Sequence, residues 1–476
     1  MGSTEVKHPT VADRVASGKN CRQATPVSAH QEWVPAPNRP DAVALLEEQN
    51  LTRDPDLVPV RHGRMLDSPF TFYRGAAKIM AADLKDTPRS GLTTQLCGDA
   101  HLSNFGVFAS PERTLVFDLN DFDETLPGPF EYDVLRMSAS FTIAARNNSF
   151  TDEEARSATL AAVRAYREAM REFAQMGTLD IWYARLTEQD VLSTIQLGAG
   201  KGKAEKKAAK RIGKTAEKIT RKARSRDSLQ ALAKLAERVD GKYRIVSQPP
   251  IVIPLREFGD SFGLSADQMW EESREQLRSY RATLQDDRRH LLERFEIVDI
   301  ARKVVGVGSV GTRGFIALLQ GRDSDDPLFL QVKGATRSVL EDHLPKSRYR
   351  QPGQRVVQGQ RRMQAASDIF LGWTKGVQEN RYLYWRQLRD MKGSVVVETM
   401  TPRGMQFYAR TCGWTLARAH ARSGDPVAIA AYLGKSEKFD NSVTDFCERY
   451  ADQNEQDYQA FADAVRSGRL PAVEGV

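Results

Sequence analysis

The chain has 476 residues, of which 41% are hydrophobic and 28% are charged, and its formal net charge is +7. This composition is typical of a globular protein, and the length favours two or three folding units or one unit with large insertions. No apolar run reaches about 18 residues, the length that a membrane-spanning helix needs, so we expect no membrane span. The mild positive charge suits a phosphate-rich ligand or a nucleic acid.

The cysteines argue against two further classes of protein. Four are present, at positions 21, 97, 412 and 447, and none of them forms a C-x-x-C pair. This spacing argues against a zinc site and against a disulfide framework. Because free cysteines persist in a reducing compartment, the sequence predicts a cytoplasmic protein.

The N-terminal half is expected to begin with a flexible segment and to continue as a folded region. Residues 1–40 are polar and contain several prolines, which predicts a loose lead-in. Over 41–195, short β-type runs are expected around a polar loop, and they are followed by helical hydrophobic spacing at 131–147 and 152–176. This region is interpreted as one half of a large lobe.

The C-terminal half combines a basic insertion, a β region and a helical end. A Lys- and Arg-rich run without proline at 201–226 predicts a basic helix inside a helical insertion over 196–290. Short β-type runs predict a β region over 291–400, and helical spacing predicts helices over 401–476.

A polar stretch, QLCGDAHLSNFGVF, interrupts the first β-type region and is followed by a second acidic stretch, LVFDLNDFDE. Enzymes that move a phosphoryl group from Mg-ATP use one carboxylate to orient and deprotonate the attacking hydroxyl. They use an Asn and a second carboxylate to hold the metal. The first stretch contains Asp99 and Asn104, and the second contains Asp118, Asp121 and Asp123. The alternative interpretation is a polar hairpin whose acids cap turns.

The first stretch resembles the catalytic loop H-G-D-x-H-x-x-N of aminoglycoside phosphotransferases and related small-molecule kinases. Here the loop reads C-G-D-A-H-L-S-N, with Cys97 in place of the first His. The resemblance implies that Asp99 is the catalytic base. His101 corresponds to the second His of the motif and is expected to orient Asp99 or a carbonyl group.

The same resemblance implies the metal ligands and one structural acid. Asn104 and Asp121, in the Asp-Phe motif of the second stretch, are expected to hold Mg²⁺. Asp118, which alternates with the apolar residues of its strand, is a second candidate for the position of Asp121. Asp133 falls where these kinases keep a buried Asp that braces the catalytic loop.

A glycine-rich stretch, VVGVGSVG, has the spacing G-x-G-x-x-G at Gly306, Gly308 and Gly311. In a Rossmann fold a helix must follow directly, whereas here two β-type runs follow and the second ends near Lys333. A strand, a glycine-rich turn and strands that end in a Lys are typical of the phosphate-binding hairpin of a protein kinase. A Rossmann turn and a plain glycine-rich hairpin are the alternatives.

The order of the motifs departs from that of a kinase. The glycine-rich stretch follows the catalytic loop by about 200 residues, whereas in kinases it precedes the loop. We therefore expect an α+β, protein-kinase-like two-lobed fold that is circularly permuted, with the small β lobe in the C-terminal half and Lys333 close to Asp121. The kinase Lys usually pairs with a Glu on the next helix. That helix, at 353–367, has no acid, so Glu341 is the nearest candidate.

Stretches along the chain, from SPFTFYRGAA to ARAHARSGD, resemble a bacterial family known only as domain of unknown function 2252, which implies no activity. The predicted function is an ATP- and Mg²⁺-dependent phosphotransferase acting on the hydroxyl of an unknown small-molecule acceptor, with transfer of AMP as a variant. One alternative is a nucleotide-binding regulator without turnover. Another is a nucleic-acid-binding protein that uses the basic helix, although that helix lacks interleaved aromatic residues.

Overall fold

The computed structural model describes residues 8–197, 202–257, 265–304, 310–311, 314–376, 381–388 and 390–475. Over these residues the chain forms a mixed α+β fold with several separate sheets. In the same part of the chain, no helix combines the length and the apolar character that crossing a bilayer requires.

The N-terminal part is helical in its described residues. Its helices are α1 (Val11–Ala24), α2 (Ala42–Asn50), α3 (Val58–Leu66), α4 (Pro69–Gly75) and α5 (Ala77–Leu84). The expectation of a loose segment over 1–40 is therefore wrong for residues 8–40. Thr10 and Asp13 form a capping box that begins α1, and Trp33 is buried against the ring of Tyr450, with a centroid distance of 5.0 Å.

The central part places the two polar stretches at one end of a hairpin. It contains the strands β1 (Thr93–Leu96), β2 (Phe105–Ala109), β3 (Leu115–Leu119) and β4 (Leu126–Pro129) and the helices α6 (Phe130–Asn147) and α7 (Asp152–Phe173). β2 and β3 are antiparallel with Phe105 opposite Leu119, and β1 pairs with β4. The loop that precedes β2 and the acids that follow β3 therefore meet at the same end of this hairpin.

The predicted basic helix is present, but the insertion around it is not purely helical. The next elements are α8 (Thr178–Tyr183), β5 (Leu186–Thr187), α9 (Glu188–Leu197), α10 (Lys203–Arg224), α11 (Ser228–Leu235), β6 (Ala236–Val239) and β7 (Lys242–Ile245). β6 and β7 form a hairpin because Asp240 and Gly241 both adopt positive φ angles, of 49° and 78°, as a type I′ turn requires. Over residues 206–224 of α10, the Lys and Arg side chains are exposed and Ala223 is buried.

A six-stranded antiparallel sheet forms the second structural centre. Its strands are β8 (Val252–Pro254), β9 (Glu296–Lys303), β10 (Gly314–Gln320), β11 (Pro327–Gly334), β12 (Gly372–Lys375) and β13 (Tyr382–Gln387), in the order β12-β13-β11-β10-β9-β8. The helices in this part are α12 (Ala266–Arg281), α13 (Asp286–Leu292) and α14 (Pro352–Met363). Tyr280 of α12 stacks on Trp385 of β13 at a centroid distance of 4.7 Å, which fixes this helix against the sheet.

The C-terminal helices return to the central part. They are α15 (Pro402–Ala421), α16 (Pro426–Leu433) and α17 (Lys438–Arg466). α15 lies so close to α7 that a Cβ atom on Gly413 would come within 2.2 Å of the carbonyl oxygen of Ala162. The same helix lies beneath the polar loop at 97–104, because Tyr408 in its second turn donates to the carbonyl oxygen of Leu102 at 2.8 Å.

Candidate functional site

The start of the polar loop is held by the carboxylate of Asp133, in the first turn of α6. Asp133 accepts the backbone N–H of Cys97 at 2.6 Å and that of Gly98 at 2.9 Å. His420 of α15 lies 3.2 Å from the same carboxylate through its Nε2. Gly98 has a φ of +86°, and a Cβ atom there would come within 2.2 Å of the Glu124 carbonyl oxygen. The backbone that leads to Asp99 is thus fixed from below, in the manner expected for Asp133.

Asp99 lies above this turn and is paired with a buried arginine. Its Oδ1 accepts from Nε of Arg136 at 2.8 Å, and the Arg136 guanidinium lies 3.8 Å from the ring centroid of Tyr73. Burial raises the pKa of Asp99, although Arg136 counteracts part of this effect. The second oxygen, Oδ2, remains available to a ligand, since the side chain keeps 21% of its surface exposed.

His101 is buried next to Asp99. Its Nε2 lies 3.8 Å from Asp99 Oδ2, and its Nδ1 has no hydrogen-bond partner among the described residues. Burial lowers the pKa of His101 well below its usual range, and the positive charges of Arg74 and Arg136 lower it further. The imidazole is therefore neutral, which favours a role in orienting Asp99 over a role as a charged partner.

Asn104 connects the loop to the acidic stretch. Its Nδ2 donates to the carbonyl oxygen of Asp99 at 2.6 Å, which leaves Oδ1 as the free acceptor of the amide. Its backbone carbonyl accepts the N–H of Asn120 at 2.8 Å. Because Asn120 directly precedes Asp121, this bond brings both predicted metal ligands to the same end of the hairpin.

Lys333, from the end of β11, reaches the acids that follow β3. Its Nζ lies 2.6 Å from Asp123 Oδ2 and 3.7 Å from Asp121 Oδ2, although Asp123 is 210 positions away in the chain. Tyr384 of β13 donates to the other oxygen of Asp123 at 2.6 Å. The lysine side chain is only 2% exposed, whereas that of Asp121 is 30% exposed. The two acids thus border an opening whose floor is a buried cation.

The charges around this opening determine the protonation states of its groups. Burial opposes ionisation of Asp121, but Lys333, Arg386 and Lys392 outweigh it and lower the pKa of Asp121. Burial likewise opposes protonation of Lys333, but the carboxylates of Asp121 and Asp123 outweigh it and raise the pKa of Lys333. Burial and the charge of Arg386 lower the pKa of Lys392 to about 7.

Glu341, the expected partner of Lys333, is engaged elsewhere. It accepts the backbone N–H of Ser338 at 3.2 Å and lies 3.9 Å from Nε of Arg355. In the described part of the chain, the ion pairs of Lys333 are with the two acids after β3. The reason is that α14 presents Arg355 instead of an acid, and this arginine donates to the carbonyl oxygen of Asp123 at 2.7 Å.

Asp118, the second candidate for a metal ligand, does not reach the opening. It is 1% exposed, and its Oδ1 accepts from the buried Arg418 and from the N–H of Leu119. Its Oδ2 accepts the N–H of Ala365 at 2.9 Å. Since both oxygens are already bonded to protein donors, this acid braces the fold instead of offering a ligand atom.

The glycine-rich stretch is only partly described. Gly306 and Gly308 lie outside the described residues, so their predicted role stays a prediction. Gly311 has a φ of +80°, a conformation that favours glycine, and its carbonyl oxygen accepts the N–H of Asp54 at 2.8 Å. An N-terminal segment therefore lies against the end of this stretch.

Several cations near the opening were not predicted from the sequence. They come from distant parts of the chain: Arg53, Arg136, Arg386 and Lys392. For Tyr384 and Arg386 the sequence shows only that they alternate in a β-type run and so share one face of a strand. The register that sets Lys333 opposite Tyr384 is seen in the structure alone. Arg74 of α4 is a further cation in this region: its Nε is buried without a partner among the described residues, and its charge interacts with those of Glu398 and Asp99.

The residues present fit a metal ion only together with a phosphate ligand. Within the described ranges, no group of three or more His, Cys, Asp or Glu side chains is arranged to hold a metal ion. Mg²⁺ is usually bound through one or two carboxylates, substrate phosphates and water. The Asp121 carboxylate and the free Oδ1 of Asn104, at one end of the hairpin, provide such an incomplete oxygen set.

Comparison with known proteins gives a family but no activity. No curated protein and no solved structure matches the chain. A family profile, described as an uncharacterized protein conserved in bacteria, matches residues 53–464. This range includes the loop with Asp99, the acids after β3 and the whole six-stranded sheet. The chain therefore belongs to the family of domain of unknown function 2252.

Proposed function

We propose that the protein is an ATP- and Mg²⁺-dependent phosphotransferase that acts on a hydroxyl group of a small acceptor molecule. The observation that carries the proposal is the approach of Lys333 Nζ to Asp123 at 2.6 Å and to Asp121 at 3.7 Å. Phosphoryl transfer requires a phosphate-binding cation and a metal-binding carboxylate in one cleft, next to a base for the acceptor. Asp99 supplies that base, since Asn104 joins its loop to the acidic stretch.

The order of elements supports a protein-kinase-like fold that is circularly permuted. From β9 to β13 the chain runs strand, glycine-rich stretch, two strands, helix and two strands, with Lys333 near the end of the third strand. This is the order of a kinase small lobe. The loop at 97–104, the hairpin of β2 and β3, and the acids after it follow the order of a large lobe, but they precede the sheet. α15 packs beneath the loop, where the helix that leads into it would lie in an unpermuted kinase.

Each side chain has a defined task under this proposal. Mg-ATP, when bound, supplies the phosphoryl group and the metal charge that neutralises it. Lys333 binds phosphate oxygens, and Asp121 and Asn104 hold the metal. Asp99 orients the acceptor hydroxyl through Oδ2 and takes its proton, because Oδ1 is fixed by Arg136. The raised pKa of Asp99 makes it a stronger base than an exposed Asp.

The test is calorimetric titration of ATP into the protein, with and without Mg²⁺, for the wild type and for Asp121→Asn. We expect Mg²⁺-dependent binding that Asp121→Asn weakens by tenfold or more, which corresponds to about 1.4 kcal/mol. Asp287→Asn, an exposed acid of α13, is the matched control and should bind like the wild type. A folded wild type that binds neither ATP nor GTP would overturn the proposal. Binding of NAD alone, without need of metal, would instead identify the glycine-rich stretch as a Rossmann turn.

A further inference from the structure

An N-terminal segment, residues 53–60, lies across the end of the glycine-rich stretch. The Arg53 guanidinium donates through Nη1 to the carbonyl oxygen of Val310. The next residue, Asp54, donates its N–H to the carbonyl oxygen of Gly311 at 2.8 Å. Two consecutive residues of the segment are thus bonded to two consecutive residues at the end of the stretch.

Apolar contacts hold the same segment in place. Leu57 and Val60 form a small buried cluster with Val304, at the start of the glycine-rich stretch, and with Val310, near its end. All four side chains are less than a tenth exposed. The segment is therefore a fixed part of this end of the sheet, and the position of Arg53 is defined by packing on both sides.

Arg53 carries a charge that its surroundings do not balance. Its Nε is shielded from solvent and has no hydrogen-bond partner among the described residues, and the acceptor of its Nη1 is an uncharged carbonyl group. Burial lowers the pKa of Arg53 to about 10, although Glu124 and Asp123 act against this effect. Both carboxylates are already bonded to other groups: Asp123 to Lys333, and Glu124 to the N–H of Val339. A shielded guanidinium of this kind is suited to bind an anion.

We propose that Arg53 binds the terminal phosphate of the bound nucleotide, an inference that rests on the proposed function. In kinases the lysine of the sheet pairs with the inner phosphates, so Lys333 is not expected to bind the terminal phosphate. The other nearby cation of the sheet, Arg386, already donates to Gln331 and to the carbonyl oxygen of Asn120. Arg53 is bonded to the end of the glycine-rich stretch and interacts electrostatically with Asp123 and Glu124, two of the acids that follow β3. Its guanidinium keeps N–H groups beyond the one that donates to Val310, and these can donate to phosphate oxygens. The site consequently distinguishes ATP from ADP through a residue outside the sheet.

The test compares two nucleotides on the full-length protein. Titration calorimetry with Mg²⁺ measures the binding of ADP and of the non-hydrolysable ATP analogue adenylyl imidodiphosphate, for the wild type, Arg53→Ala and Arg53→Gln. We expect both variants to weaken binding of the ATP analogue by tenfold or more and binding of ADP by less than twofold. Arg53→Gln keeps the aliphatic start of the side chain and an uncharged N–H donor, so it tests the loss of the charge if Arg53→Ala does not fold. Asp56→Ala removes the neighbouring ion pair with Arg302 and serves as the matched control.

The outcomes separate this inference from the proposed function. A wild type that binds neither nucleotide contradicts the proposed function. A wild type that binds both, with variants that weaken both equally or weaken neither, overturns the role of Arg53 and leaves the proposed function intact. If Asp56→Ala produces the same ATP-specific loss, packing of the segment explains the effect and the inference fails.

Discussion

Asp118 and Asp121 lie three residues apart, yet the fold gives them opposite environments. Asp118 is 1% exposed, and its oxygens are bonded to Arg418 and to two backbone N–H groups. Asp121 keeps 30% of its side-chain surface exposed and faces Lys333 across 3.7 Å. An acid whose oxygens are all bonded within the protein braces the fold, whereas an exposed acid beside a buried cation can hold a ligand. The number of bonds already made therefore separates the structural acid from the candidate ligand in this stretch.

The largest effect on stability is expected at the buried pair. Arg418→Met leaves Asp118 charged and buried without its partner, which should lower the free energy of unfolding by about 3–5 kcal/mol. Arg403→Met, an exposed arginine at the start of the same helix, is the matched control and should change it by less than about 0.5 kcal/mol. Urea unfolding followed by circular dichroism measures both. A loss below about 1 kcal/mol for Arg418→Met would show that Asp118 does not depend on this partner.

The next effect concerns turnover at the opening. Asp99→Asn removes the base but keeps an acceptor for Arg136, so ATP hydrolysis should fall by about 10² to 10⁴-fold while binding of Mg-ATP stays within about twofold. Because the pKa of Asp99 is raised, wild-type activity should fall on acidification through a pKa above that of a free Asp, as the carboxylate takes up a proton. Rates measured between pH 4 and 8 check both points. Unchanged turnover in Asp99→Asn would assign the base to another group.

A smaller effect is expected at Glu131, an acid that is buried but only half bonded. Its Oε1 accepts the N–H of Ser90 at 2.8 Å, and its Oε2 has no partner among the described residues. Burial raises the pKa of Glu131 to about 7, whereas its ordinary value, which applies in the unfolded chain, is 4.5. Between these two pH values the folded protein keeps a proton on Glu131 that the unfolded chain has already released. Its contribution to stability is therefore present below pH 4.5 and is lost as the pH rises through about 7.

The variant Glu131→Gln removes this titration. At pH 8 it should raise the free energy of unfolding by on the order of 1–3 kcal/mol relative to the wild type, and at pH 4.5 the gain should vanish. Urea unfolding at the two pH values provides the measurement. An equal difference between the two proteins at both pH values would mean that Glu131 does not titrate differently on folding.

Much of the local structure followed from the sequence. The sequence pattern predicted a basic helix, which the structure has as α10, and a hairpin, which the structure has as β2 and β3. It also predicted the strands on either side of the glycine-rich stretch, which are β9 and β10. The loose lead-in over 1–40 was wrong because Trp33 buries its ring against α17, a contact across more than 400 residues that local composition does not encode.

The candidate site was predictable only in part. The resemblance to a kinase catalytic loop pointed to Asp99 and Asn104, but the bonds that distinguish Asp118 from Asp121 involve Arg418, which lies 300 residues away from Asp118. Glu341 was the wrong partner for Lys333 because the pairing depends on how two distant halves pack, and α14 carries Arg355 at the contact. Register and long-range ion pairs, which decide these points, leave no trace in a short stretch of sequence.

We propose that Lys333 and Asp121, from distant parts of the chain, belong to one nucleotide site. The decisive test is a crystal structure of the protein with Mg²⁺ and adenylyl imidodiphosphate. We expect phosphate oxygens within hydrogen-bond distance of Lys333 Nζ and a metal ion bound to Asp121 and Asn104. A nucleotide bound elsewhere, with the contact between Lys333 and Asp123 undisturbed, would contradict it.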